Sequence, residues 1–196
     1  MPVEPIDTMA IERRAYDLLA RAPEFIWDGE TLPVPVDDIV DNMLGLRVRL
    51  VDDMSQAPGC DDLEPGGVSG LLLTDLGEIW VNRAEAEQWE GRRRFTIGHE
   101  VGHYLIHQES ECEVRRIYCR TADIAEDDDD DTVRDGPTPK PRAELEADAF
   151  AAAMLMPEHL IREHAATCGE DIETMKALFH CSHKAMKYRL NRFVRP

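Results

Sequence analysis

The chain has 196 residues, 43% of them apolar, and 40 Asp plus Glu against 22 Lys plus Arg give it a formal charge of −18. That apolar content supports a packed core and argues against disorder throughout, and the length fits one domain with at most a small appendage. The charge excludes a chain that coats nucleic acid or an anionic membrane with a cationic surface. No apolar run approaches the ~18–20 residues that span a bilayer, and Met1-Pro2-Val3-Glu4-Pro5 lacks the basic and apolar regions of an export signal. These features predict a cytoplasmic protein with no membrane partner. Cys60, Cys112, Cys119, Cys168 and Cys181 are odd in number and form no CxxC pair, which predicts reduced thiols.

Residues 7–21 carry Ile11, Tyr16, Leu18 and Leu19 among charges, the spacing of an amphipathic helix that Pro23 stops. Residues 36–44 again have helical spacing and end at Gly45, and Leu46-Arg47-Val48-Arg49-Leu50 alternates as a strand with one buried face does. Residues 52–67, rich in Pro and Gly, read as a loop. Residues 68–74 and 78–82 are β-prone runs separated by Asp75-Leu76-Gly77, a hairpin with Gly at its turn. From 83 to 107 the pattern is helical, with Gly91 as the expected break between a short helix and a longer one. The fold class is therefore α+β: a small antiparallel sheet packed on a long helix, with further helices on the other side and at the C-terminus.

Between Asp123 and Asp135 there are eight acids and one base, and Pro137, Pro139 and Pro141 follow. Like charges repel and proline breaks helices, so residues 123–142 are expected to form an acidic, flexible insert. Helix resumes over residues 143–156, and residues 158–196 read as two or three short helices. From Lys176 onward there are six bases and no acid. The predicted organisation is a domain over residues 1–165, including the insert, and a basic helical segment over residues 166–196 that packs on it or is appended to it. Residues 177–190 have a helix-turn-helix rhythm with Ser182 as a cap. Direct DNA contact is one reading of this segment; the reading preferred is a helical hairpin that completes the core, because the bases are few.

The chemistry concentrates in His99-Glu100-Val101-Gly102-His103. Two histidines at i and i+4 on a helix lie one turn apart and ~40° around the axis, so both imidazoles can converge on one metal ion, for which Zn²⁺ is the natural choice. Glu100 is placed to take a proton from a water at that ion. Gly98 and Gly102 imply close approach of another backbone, expected to be the sheet. His107 lies two turns beyond His99, too far to share its metal, and is read as a residue of the helix C-terminus. The better third ligand is Glu144 in Glu144-Leu145-Glu146-Ala147-Asp148, with Asp148 accepting the outer N–H of a ligating histidine and Glu146 turned to solvent. Tyr104, Tyr118, Arg115 and Arg116 are candidate donors to an oxyanion. The strand over residues 68–74 is the nominee for pairing with an extended substrate.

The run Arg94-Phe95-Thr96-Ile97-Gly98-His99-Glu100-Val101-Gly102-His103-Tyr104-Leu105-Ile106-His107 resembles the active-site helix of the ImmA/IrrE family of small zinc metallopeptidases. Glu144-Leu145-Glu146-Ala147-Asp148-Ala149-Phe150-Ala151-Ala152-Ala153-Met154-Leu155-Met156-Pro157 resembles that family's second motif, and Val68-Ser69-Gly70-Leu71-Leu72 with Ile79-Trp80-Val81-Asn82 is similar to its hairpin. The resemblance spans about residues 35–160 and implies a minimal gluzincin fold. It implies His99, His103 and Glu144 as zinc ligands and Glu100 as general base. Asp148 stands where family members often have Asn, and either accepts the same hydrogen bond. The acidic insert departs from the family pattern. The implied function is a zinc-dependent endopeptidase acting on a repressor-type transcription factor in stress response, mobile-element or toxin-antitoxin control. The alternatives are a non-cleaving metal-dependent module that sequesters a repressor or toxin, and DNA binding through the C-terminal helices.

Overall fold

The computed structural model describes residues 5–58, 60, 68–107, 118–119 and 140–195. The first helix, α1 (Thr8–Leu19), starts where the Asp7 carboxylate accepts the Ala10 N–H at 3.0 Å. It buries Ile11, Ala15, Leu18 and Leu19; Tyr16, expected on that face, is turned outward. The second, α2 (Val36–Leu44), ends at Gly45, whose φ of 65° is the left-handed turn that glycine adopts without strain. Three strands follow, β1 (Arg47–Val51), β2 (Gly70–Leu73) and β3 (Glu78–Asn82). The β2–β3 connection is a short 3₁₀ turn, Thr74–Leu76, closed by Gly77 at φ 62°.

The α+β class holds, with one correction to the sheet. Its strand order is β1-β3-β2 followed by the two-residue β4 (Tyr118–Cys119), and β1 runs parallel to β3, Arg47 facing Glu78 and Val51 facing Asn82. The sheet is mixed because β3 is buried at every position and so takes an interior place between β1 and β2. The half-exposed β1 is left at the edge, where Arg49 meets Glu78 at 3.2 Å. The strand nominated for substrate pairing is not a free edge along its whole length, since Gly70 and Leu71 of β2 already pair with β4.

Two helices lead away from β3. The short α3 (Arg83–Gln88) is capped by Asn82, and α4 (Glu90–Ile106) carries the histidines. The break between them falls at the extended residue Trp89 rather than at Gly91. Gly91 lies inside α4, where the Trp89 indole occupies the space that a Cβ would need. Ile97 and Val101 of α4 pack with Leu72, Ile79 and Val81 on one face of the sheet, while Leu71, Leu73 and Trp80 on the other face form a smaller cluster with Met54, Ala57 and Cys60.

Beyond the described part of the central region come α5 (Arg142–Leu155), α6 (Glu158–Cys168), α7 (Ile172–Phe179) and α8 (His183–Phe193). The acidic insert lies outside the described residues except for its last three. Ser182 caps α8 by accepting the Ala185 N–H. Met175, Phe179, Met186 and Leu190 join the same core as Leu18 and Phe150. Arg189, 1% exposed, donates to Glu12 and to the Met156 carbonyl and lies 4.5 Å over the Phe193 ring, which ties α8 to α1 and to the end of α5. Removing one member of a buried ion pair strands the other. Glu12→Ala is expected to lower stability by about 3 kcal/mol and Glu12→Gln by less, as read from urea midpoints. An unchanged Glu12→Ala midpoint would show that the pair carries no such weight. Among the described residues, no helix is long and apolar enough to cross a membrane.

Candidate metal centre

Three consecutive arginines set the rotation of α4. Arg92 pairs with Glu85 at 2.9 Å, Arg93 with Asp37, and Arg94 donates to the Val34 carbonyl at 2.7 Å. Arg92 is tied to α3, and Arg93 and Arg94 to the stretch that opens α2, so the start of α4 is held from two sides, and His99, Glu100 and His103 face inward at no more than 1% exposure.

The partner helix is α5, and small residues let it in. A Cβ at Gly102 would stand 2.9 Å from the Ala147 Cα, and one at Gly98 would stand 3.3 Å from the Ala151 Cα. The backbone admitted by the two glycines is therefore that of α5, not the sheet as the sequence reading held. The alanines of α5 present no side chain that could keep the axes apart. The sheet approaches one residue further round, where Gly70 faces the Glu100 carboxylate.

This contact brings Glu144 to the histidines. His99 Nε2 and His103 Nε2 are 2.9 Å apart, Glu144 Oε2 lies 3.3 Å from the first, and Glu144 Oε1 lies 3.3 Å from the second. Ligand atoms at ~2.0–2.1 Å from a tetrahedral ion are ~3.3 Å from one another, so these three side chains fit a divalent metal. Asp148 Oδ1 lies 2.8 Å from His99 Nδ1 and accepts its proton in a hydrogen bond, leaving the Nε2 lone pair directed at the shared point. Lys140 Nζ donates to the other oxygen, Oδ2, at 2.6 Å.

The electrostatics agree with a cation at this point. Burial pushes Glu100 up to about 8; His99 and the Leu72 backbone N–H oppose the shift and the neighbouring Glu144 carboxylate adds to it. Burial lowers His103, favouring the neutral imidazole that ligates. Burial acts to raise Glu144, yet hydrogen bonds from His103 and His99 hold it below the usual carboxylate range. Asp148 is likewise held low against burial by His99 and Lys140.

Other sequence expectations change. Glu146 is not solvated: it accepts from Arg142 at 2.8 Å and lies 3.6 Å from His107 Nε2. The close contact of α5 with α4 at Gly102 and Ala147 places Glu146 against the capping residue His107. Tyr104 packs against the main core. The Tyr118 side chain, Arg115 and Arg116 lie outside the described residues. The Lys140–Asp148 contact was not foreseen, because Lys140 precedes Pro141 and the helix, where side-chain spacing rules give no direction.

Residues 77–191 match the family model described as the IrrE N-terminal-like domain, Peptidase_M78. No curated protein sequence matches the chain. Among solved structures, a Mycobacterium tuberculosis transcriptional regulator aligns with a TM-score of 0.54 and 15% identity, over 96% of this chain and 47% of that one. The chain thus spans about half the length of that structure, and the likeness is one of fold. With its two histidines, the glutamate that meets them and the sheet beneath all inside or beside the matched segment, the chain belongs to the IrrE N-terminal-like family of Peptidase_M78.

Proposed function

We propose that this protein is a zinc-dependent endopeptidase whose substrate is a regulatory protein, such as a DNA-binding repressor. The observation that carries the reading is Glu100, a fully buried acidic side chain next to three side chains that converge from α4 and α5 as a metal-binding group. In this role His99, His103 and Glu144 hold the ion, and Zn²⁺ when bound there supplies Lewis acidity and eases deprotonation of water. Glu100 receives the proton of the attacking water and delivers it to the departing amine. Asp148 keeps His99 in the tautomer that ligates. The regulatory setting draws on the family and on the fold neighbour, itself a transcriptional regulator. A net charge of −18 suits a basic substrate, as a DNA-binding protein is.

The test is co-expression with a repressor-like protein encoded beside it, with mass spectrometry of the fragments and metal analysis of the purified chain. Near-stoichiometric zinc and a discrete cut are expected, and an intact partner beside zinc-loaded protein would count against cleavage. A second expectation separates the two glutamates of α5. Glu144→Gln, like His99→Ala and His103→Ala, loses stoichiometric metal, whereas Glu146→Gln retains it. Equal loss from Glu146→Gln would overturn the ligand assignment.

A further inference from the structure

Asp148 stands between two donors. One oxygen accepts from His99 Nδ1 at 2.8 Å and the other from Lys140 Nζ at 2.6 Å, so a continuous chain of contacts runs from Lys140 through Asp148 to a ligating imidazole. Lys140 is the last residue before Pro141, the N-cap of α5, and its side chain is 30% exposed. Lys140, Glu144 and Asp148 follow at intervals of four, and the lysine reaches along the first two turns of α5 to meet the aspartate.

A carboxylate that made only the histidine contact would be free to rotate and exchange its two oxygens. A second charge-assisted bond on the far oxygen removes that freedom and directs Oδ1 at the imidazole. The lysine also brings a positive charge to a group that contains the carboxylates of Glu144 and Asp148. With Oδ1 fixed as the acceptor for His99 Nδ1, the Nε2 side of the ring faces the point shared with His103 and Glu144.

We propose that Lys140 is a positioning residue for the metal centre, acting through Asp148 to orient His99. The assignment rests on the reading of His99 as a metal ligand. It names a residue in the stretch that leads into α5, outside both long motifs.

The experiment uses the full chain and measures the apparent affinity for Zn²⁺ and Co²⁺ by competition with a chromophoric chelator, together with the visible spectrum of the Co²⁺ form. Lys140→Met should weaken binding about tenfold, the lower end of what outer partners of metal ligands contribute, and change the Co²⁺ spectrum. Lys140→Arg should restore most of both. In an Asp148→Ala background, Lys140→Met should cause no further loss, because its route to the metal is gone. Far-UV circular dichroism of the metal-free proteins should match wild type, and if Lys140→Met does not fold, Lys140→Gln carries the same expectation. Wild-type affinity in Lys140→Met, or an equal loss in both backgrounds, overturns the proposal while leaving the metal centre in place. Failure of the wild type to bind either metal overturns the metal reading itself, and the role of Lys140 with it.

Discussion

Glu100→Gln is expected to bind zinc at wild-type stoichiometry and to lose cleavage by a factor of about 10²–10⁴, the range that a positioned acid–base group contributes. The substitution preserves shape and removes only the capacity to take a proton. Glu100 is buried and burial already favours its neutral form, so a neutral amide of the same shape should shift the thermal midpoint of the metal-free protein little. Cleavage at the wild-type rate by zinc-loaded Glu100→Gln would remove the residue from the mechanism. A full biological effect without cleavage would instead favour sequestration of the partner.

Gly102→Ala should damage the metal centre without touching a ligand. The new Cβ would stand 2.9 Å from the Ala147 Cα, 3.0 Å from the Ala147 carbonyl oxygen and 3.1 Å from the Phe150 Cβ. Two of these are backbone atoms that cannot rotate aside, so α5 must move outward and take Glu144, three residues before Ala147, away from both histidines. Overpacking of this kind costs about 1–3 kcal/mol, offset in part by the ~1 kcal/mol that alanine gains over glycine within a helix. The larger effect is on metal: affinity should fall more than tenfold by chelator competition, with only a modest shift in the denaturation midpoint. Gly98→Ala is the control. Its nearest atoms are at 3.3 Å, so it should bind metal within a few-fold of wild type. Equal affinity in the two variants would show that the seam does not position Glu144.

The metal centre was more legible in the sequence than the sheet that supports it. His99, Glu100 and His103 could be found because one turn of helix fixes their relation locally, and Glu144 with Asp148 repeats the same four-residue spacing. What joins the two pairs is tertiary, and there the reading erred. Gly98 and Gly102 showed that something approached closely but not what. The answer lay in Ala147 and Ala151, which a hydrophobic pattern counts only as small apolar residues. The angle of Glu146 on an isolated helix predicts solvent, and the packing of α5 beside His107 reverses that. The strands β1, β2 and β3 were each located within about two residues and β4 was missed, yet parallel pairing of β1 depends on which strand occupies the interior, and that follows from β3 being buried on both faces. The break at Trp89 was displaced from Gly91 because a packed indole, not backbone freedom, decides it.

The seam between α4 and α5 has an evolutionary consequence. The helix α4 ends at Ile106 and α5 starts at Arg142, so the two histidines and Glu144 come from opposite sides of a long stretch of chain. Their geometry is set where the helices touch, through glycine against alanine, and the joining stretch adds to it at its end, where Lys140 meets Asp148. Doubling the length of such a connection adds only ~0.6 kcal/mol of closure entropy. Insertions and deletions between the helices that spare β4 and Lys140 can therefore accumulate without moving the two histidines and Glu144. A lineage with this architecture can diversify what it recognises while the chemistry stays where it is.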